Sequence, residues 1–196
     1  MGSDQKRSSS VTNSVPRLLV AVIDQAAVVK VNGRANFTTS VSFKNLIAEL
    51  RQRGFESFVL DLSECVTMDS TFLGVLAGTA LDISQAKAPS VEAGRHVNGT
   101  NSPLRLLNPN QRITDLLDNL GVSDLFRTFR SESPLTREQD LTPAPEATPT
   151  RQELSTACLE AHRILMQLNP DNIPRFREVA QFLAEDVRKL NSEAKG

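Results

Sequence analysis

The chain contains a series of short apolar runs with the composition of β-strands. Valine, leucine and isoleucine are concentrated in four runs, each bounded by polar or turn-forming residues. Asp24 and Gln25 separate the first two runs and suit a hairpin turn, and Gly33 is expected to end the second. The predicted strands are 17–24, 26–32, 55–62 and 103–107.

Between these runs, apolar residues recur at steps of three and four, which is the spacing of amphipathic helices. Serine, threonine and asparagine precede the helical patterns and glycine follows two of them, as expected for helix caps. Three helices are predicted: one capped by Thr39 or Ser40 and running to Gln52, one from about Ser70 to Gln85, and one from Asn108-Pro109-Asn110 to Gly121.

The order β-β-α-β-α-β-α predicts an α/β domain with helices packed on a mixed sheet over residues 16–130. The second helix is apolar on nearly every side and is expected to be the most buried. Gly74 and Gly78 lie one turn apart on it and would let another backbone approach closely. The segment 86–101 fits neither pattern.

The two ends of the chain differ from this domain in composition. Residues 1–15 are polar and serine-rich and predict a disordered lead, and residues 131–150 have the Pro/Thr-rich composition of a linker. Residues 151–191 contain two narrow apolar stripes separated by Asn169-Pro170-Asp171-Asn172. They predict a helical hairpin that packs on itself, on the main domain or on a second copy in a homodimer.

Charge and composition exclude several classes of partner. The 22 basic and 23 acidic residues give a net charge of −1, which argues against nucleic-acid binding through phosphate neutralisation. No apolar stretch approaches the roughly 20 residues that cross a bilayer. The polar N-terminus, 1–14, lacks the apolar segment of a secretory signal. We therefore expect a cytoplasmic protein without membrane insertion.

One segment carries candidate chemistry. A buried strand ending in Asp61 is followed by a short loop, and Asp69-Ser70-Thr71 then opens the most buried helix. Asp69 is suited to cap that helix. The two hydroxyls at its start are also suited to phosphorylation, because backbone N–H groups there tolerate a phosphate. Capping and phosphorylation are compatible.

The same segment resembles the signature of the STAS domain, and more narrowly that of the bacterial anti-anti-sigma factors, also called anti-sigma factor antagonists. The resemblance is carried by Phe58-Val59-Leu60-Asp61-Leu62-Ser63, by Met68-Asp69-Ser70-Thr71 and by Leu73-Gly74-Val75-Leu76. The family's usual form is Asp-Ser-Ser-Gly-Leu-Gly, so this chain departs from it in having Phe72 where that form has glycine.

The resemblance implies a phosphorylation switch. The family's phosphoacceptor position is Thr71 here, and in stressosome-type relatives it would be Ser70. Unphosphorylated relatives bind an anti-sigma factor, often a serine/threonine kinase, and thereby free a sigma factor for transcription. The candidate interface residues are Asp24, Asn32, Arg34, Asn36, Asp61 and Phe72, and the first four are expected on loops at the same end of the sheet as the acceptor.

An enzyme is not expected. Neither a metal nor another cofactor is predicted, because the two histidines, His96 and His162, do not belong to a recognised metal-binding motif of cysteines, histidines and carboxylates. Cys65 with His96 is a formal nucleophile and base pair, but Cys65 and Cys158 both lie among apolar residues and are interpreted as buried thiols. The dinucleotide, phosphate-loop and GxSxG motifs do not occur.

Two other functions stay open from the sequence. The domain could be a non-catalytic STAS partner of an ABC-transporter ATPase or part of a sensory scaffold without a phosphorylation switch. Alternatively, the protein could be a scaffold in which the C-terminal hairpin carries the function and the STAS-like domain serves as its anchor. On this second interpretation, deletion of residues 134–196 is expected to leave a folded domain.

Overall fold

The computed structural model describes residues 17–87, 102 and 104–193, which form seven strands and five α-helices. The predicted lead and most of the unassigned segment 86–101 lie outside these residues. The strands are β1 (Arg17–Ile23), β2 (Ala26–Ala35), β3 (Ser57–Asp61), β4 (Cys65–Met68), β5 (Leu104–Leu107), β6 (Arg127–Phe129) and β7 (Thr142–Pro143). The helices are α1 (Phe37–Gln52), α2 (Ser70–Lys87), α3 (Gln111–Asn119), α4 (Arg151–Leu168) and α5 (Ile173–Glu193).

The strands form one mixed sheet in the order β6-β5-β3-β2-β1-β7, and β4 pairs with the end of β2. The central pairs β2–β3, β3–β5 and β5–β6 are parallel, whereas β1 is antiparallel to both of its neighbours. The parallel strands therefore end at one edge, where β3 leads into the loop before β4. This edge holds the candidate site.

The main core lies between one face of the sheet and the helices. Alternate β2 residues such as Ala27 and Val29 join this core, while Val28 belongs to a smaller cluster with residues of β3 and β5. Phe43 of α1 and Phe72 of α2 are completely buried in the main core. The predicted α/β class, a mixed sheet flanked by helices with a C-terminal helical hairpin, is confirmed.

Several predicted boundaries are wrong. Asn36, rather than Thr39 or Ser40, is the N-cap of α1, and its side chain accepts a hydrogen bond from the Thr39 N–H. Gly33 does not end β2. It has a left-handed backbone (φ 86°) at a shift of register, and the strand continues to Ala35 and pairs with β4.

The segment 131–150 is attached to the sheet although its composition is that of a linker. Its short strand β7 pairs with β1, and the Ala144 N–H donates to the Leu18 carbonyl at 2.9 Å. The chain then reaches α4, which packs on α2 and α1, while α5 packs on α4. Within the described residues, no helix has the length and apolar character needed to cross a membrane.

Candidate functional site

Asp69 joins the starts of two helices. Its backbone N–H donates to the Ala35 carbonyl at the end of β2, at 2.9 Å. Its carboxylate accepts from the Phe72 N–H through Oδ1 and from the Phe37 N–H through Oδ2, both at 2.8 Å. One side chain thus satisfies amides at the N-termini of α1 and α2, where a negative charge is favourable.

The two candidate phosphoacceptors occupy the first two positions of α2 and face α4. Ser70 Oγ lies 3.1 Å from His162 Nε2, within hydrogen-bond distance. Thr71 Oγ1 lies 3.6 Å from Cys158 Sγ and donates to it, and the Thr71 residue is 6% exposed. Both hydroxyls are therefore in contact with a helix of the C-terminal hairpin.

His162 and Cys158 were not identified as site residues from the sequence. They lie four residues apart on α4, so they project from the same face of that helix. Cys158 belongs to the apolar stripe that predicted the helix, but the stripe does not reveal which surface it covers. The contact with α2 is visible only in the folded chain.

Two other motif residues have structural roles. The Phe72 ring is buried in the core, with its centroid 5.2 Å from that of Phe43, so it does not reach a surface where a partner could bind. Gly74 lies against the backbone of α4, because a Cβ added to it would be 2.5 Å from the carbonyl oxygen of Ala161. The predicted close approach of a second backbone thus occurs at Gly74.

The remaining interface candidates do not form one surface. Asn36 and Arg34 lie near Asp69 at the end of β2, and Asn32 lies within that strand. Asp24 forms the β1–β2 turn at the opposite end of the sheet, so the expectation that all these positions share one end is wrong.

Asp61 is another interface candidate that the fold places below the surface. It is 4% exposed, and its Oδ1 accepts from the N–H and the hydroxyl of Ser63. This carboxylate therefore organises the turn after β3 rather than offering a charge to a partner.

Burial favours the neutral forms of the two cysteines and of His162. Burial raises the pKa of the Cys65 thiol to about 11 and also raises the pKa of the Cys158 thiol. Burial lowers the pKa of His162, against the opposing effect of the Asp69 carboxylate. The part of the chain that the structure describes contains no cluster of metal-ligating side chains. His96, the formal base for Cys65, lies outside it.

A family model described as the STAS domain matches residues 17–134. The chain belongs to the STAS domain family. The matched residues run from β1 past β6 and contain the Asp69-Ser70-Thr71 segment. The helices α4 and α5, which cover the start of α2, lie beyond the matched STAS residues.

The chain is similar to several solved structures. A putative anti-sigma factor antagonist from Thermotoga maritima has 18% identity and a TM-score of 0.47, and the match covers 58% of this chain and 86% of that one. An anti-sigma factor antagonist from Mycobacterium paratuberculosis has 18% identity and a TM-score of 0.46, over 60% and 88% of the two chains.

The phosphorylated Bacillus cell fate determinant SpoIIAA is a further similar structure. It has 14% identity and a TM-score of 0.43, with coverage of 62% of this chain and 94% of that one. A search of curated proteins gave no match to this STAS chain.

Proposed function

We propose that this STAS protein is an anti-sigma factor antagonist. In this role it binds an anti-sigma factor that is a serine/threonine kinase, and phosphorylation at Thr71 or Ser70 ends the interaction. The protein itself is a non-catalytic binding partner that regulates sigma-dependent transcription. Membership of the STAS family and the Asp69-Ser70-Thr71 motif support this proposal.

The observation that carries the proposal is the placement of two hydroxyls directly after a capped helix start. The Asp69 carboxylate fixes the first turn of α2 through the Phe72 N–H, so Ser70 and Thr71 have defined positions. A phosphate on either hydroxyl would lie near backbone N–H groups and the positive end of the helix dipole. It would also add nearly two negative charges beside Asp69. These charges would repel an acidic partner surface, and the loss of their hydration would disfavour contact with an apolar one.

A second candidate function is a STAS binding module without a phosphorylation switch, such as a partner of an ABC-transporter ATPase or a sensory scaffold. The burial of Thr71 against Cys158 favours this alternative, because a kinase needs access to the hydroxyl.

A homodimer through the hairpin is a further proposal. Such a dimer would have to use α5, where Val179 and Phe182 are exposed, because Ala161 and Leu165 of α4 are buried against the domain.

Affinity capture from the native cytoplasm, with bound proteins identified by mass spectrometry, tests the proposed role. The baits are the full chain, Ser70→Asp, Thr71→Asp and the control Thr38→Asp. Thr38 occupies the second position of α1, as Thr71 does in α2, but it is exposed. We expect the full chain and the control to capture a kinase-like anti-sigma factor and one acidic α2 variant to lose it.

The same captures separate the alternatives. Equal capture of that anti-sigma factor by all four baits would mean that the two hydroxyls belong to the helix start but do not control binding. Capture of a transporter ATPase in place of an anti-sigma factor would support the second function. If no bait retained an anti-sigma factor, the proposed role would be wrong.

A further inference from the structure

The C-terminal hairpin lies directly on the candidate phosphorylation site. Ala161 of α4 is completely buried, and its carbonyl oxygen would be 2.5 Å from a Cβ on Gly74. One turn further along α2, Gly78 faces the side chain of Ile164. The absence of side chains at these two positions lets α4 lie close enough to α2 to reach the acceptor hydroxyls.

The contact restricts the chemistry that phosphorylation requires. In that reaction the hydroxyl oxygen forms a bond to the γ-phosphorus of ATP and the bond from that phosphorus to the β,γ-bridging oxygen breaks. ADP then leaves, and the hydroxyl proton passes to a base of the kinase. Thr71 is 6% exposed, and Ser70 is held at hydrogen-bond distance from His162. A kinase active site therefore cannot align the Thr71 oxygen with ATP while α4 is in place, and it would have to displace His162 to take up the half-buried Ser70 hydroxyl.

A phosphate would in turn exclude α4 from this position. The hydroxyls face a thiol and an imidazole whose neutral forms are favoured by burial, and Asp69 already supplies a negative charge beside them. At Thr71, which is 6% exposed and faces a thiol rather than a cation, a buried dianion is strongly unfavourable. Docking of α4 and phosphorylation of α2 are therefore competing states.

The two helices of the hairpin are joined to each other, and a short segment connects them to the domain. Ser155 of α4 donates to Asp186 of α5 at 2.8 Å, so the two helices hold each other. The preceding segment is anchored to β1 at Ala144, and the Ala147 N–H also donates to Ser42 Oγ of α1 at 3.1 Å, so residues 148–150 form the connection to α4. The Lys44–Glu160 ion pair between α1 and α4 is exposed, and such pairs contribute little stability.

We propose that the hairpin formed by α4 and α5 is an intramolecular cover of the STAS acceptor site. It must leave α2 before a serine/threonine kinase can phosphorylate Ser70 or Thr71, and the phosphate then keeps it away. This inference rests on the proposed function for its biological meaning, but the cover itself can be tested without a kinase.

The two cysteines provide the test in the full chain. Cys158 is half-buried, not buried as the sequence suggested, and its thiol faces Thr71, whereas Cys65 lies in the domain core and is 3% exposed. Pulsed alkylation with N-ethylmaleimide, followed by peptide mass spectrometry, measures both rates in one sample. We expect Thr71→Asp to raise the Cys158 rate about tenfold or more with no change at Cys65, because a charge at this position opens the cover and not the domain.

Matched variants separate charge from other effects. Thr38→Asp places the same change at the second position of α1 and is expected to leave both rates unchanged. Thr71→Val removes the hydroxyl without adding a charge and is expected to keep Cys158 protected. An unchanged Cys158 rate in Thr71→Asp would overturn the proposal.

A variant at the other end of the hairpin keeps the test decisive if Thr71→Asp does not fold. Asn172 Nδ2 donates to the carbonyl oxygens of Leu120 and Leu165, which ties the hairpin turn to the end of α3. Asn172→Ala is expected to raise the Cys158 rate several-fold without affecting Cys65. If the two cysteines became reactive together, the hairpin would open only with the whole domain, and the cover would be disproved.

The outcome is independent of the proposed role. If the cover opened in Thr71→Asp but no bait captured an anti-sigma factor, the intramolecular cover would be supported and the role as an anti-sigma factor antagonist would be wrong. If the baits captured an anti-sigma factor selectively but Cys158 stayed protected in Thr71→Asp, the proposed role would be supported and the intramolecular cover would be disproved.

Discussion

Gly74 and Ala161 bring α2 and α4 into direct backbone contact. A Cβ added to Gly74 would lie 2.5 Å from the Ala161 carbonyl oxygen and 2.7 Å from its Cα. Side chains cannot relieve such an overlap, because the obstructing atoms belong to the backbone of another helix. This contact fixes the hairpin at the distance where His162 and Cys158 meet the hydroxyls of α2.

Gly74→Ala is therefore expected to destabilise the protein although alanine favours helix. The helix gain is about 0.5–1 kcal/mol, and overpacking a close contact costs about 1–3 kcal/mol. We expect the free energy of unfolding in urea to fall by about 1–2 kcal/mol, since the overlap exceeds the gain.

Gly78→Ala is the matched control. A Cβ there would meet only the end of the Ile164 side chain, at 2.6 Å, and that side chain can rotate. The free energy of unfolding is expected to change by less than about 0.5 kcal/mol. Equal destabilisation by the two substitutions would contradict a close backbone contact specific to Gly74.

Asp69→Ala is expected to remove the stabilisation of two helix starts. The substitution deletes the acceptors for the Phe72 and Phe37 amides, and a lost N-cap costs about 1 kcal/mol, with up to about 2 in favourable cases. We expect the free energy of unfolding to fall by about 2 kcal/mol. Chemical denaturation at neutral pH measures this.

Asp69→Asn provides a graded comparison. Its remaining oxygen can still accept from the Phe72 N–H, but its amide nitrogen cannot accept from the Phe37 N–H. The loss is expected to be about half that of the alanine variant. If alanine and asparagine were equally tolerated, Asp69 would not be the link between α1 and α2.

The sequence predicted those parts of the fold that local patterns determine. The two glycines on α2 predicted a close helix contact, and the two tail stripes predicted α4 and α5. The short strands β4, β6 and β7 were not predicted, because two to four residues carry no clear period and their pairing partners are distant in sequence. The Asn36 cap was missed because Thr39 and Ser40 satisfy the same local rule.

Only part of the candidate site could be predicted from the sequence, for a related reason. Asp69, Ser70 and Thr71 are neighbours in sequence, so the helix start could be identified from its motif. His162 and Cys158 reach it only through the docking of α4 on α2. A narrow apolar stripe predicts that a helix face is buried, but not against which surface, so the burial of Thr71 could not be anticipated.

The docked hairpin is expected to lose stability in mildly acidic solution through His162. Burial lowers its pKa from the ordinary value of 6.5, while the facing Asp69 carboxylate and the Cys158 carbonyl act in the opposite direction. Below pH 6.5 the unfolded chain binds a proton that the folded chain resists. The contribution of neutral His162 to the free energy of unfolding is therefore fully present above that pH and decreases as the pH falls towards the lowered pKa.

Urea unfolding of the full chain and of His162→Gln, at pH 7.5 and pH 5.5, measures this effect. Glutamine can still hydrogen-bond to Ser70 but does not titrate. We expect the full chain to lose more stability than the variant between these two pH values. The same loss in both proteins would assign the pH dependence to other groups.

Thr71→Cys is expected to form a disulfide with Cys158 when the hairpin is docked. The atoms Thr71 Oγ1 and Cys158 Sγ are 3.6 Å apart, so a sulfur at position 71 would need only a small movement to reach bonding distance. Mild oxidation of the full chain, followed by peptide mapping without reduction, is expected to recover the cross-link between positions 71 and 158.

Thr38→Cys is the control for this cross-link, because it introduces a cysteine at the same position of α1 on an exposed surface. It is expected to form no bond with Cys158. Cys65 is buried with a raised pKa, so it should stay reduced in both variants. Recovery of the disulfide from Thr71→Cys alone would place α4 on the acceptor hydroxyls in solution. Its absence would mean that the hairpin does not occupy this face of α2.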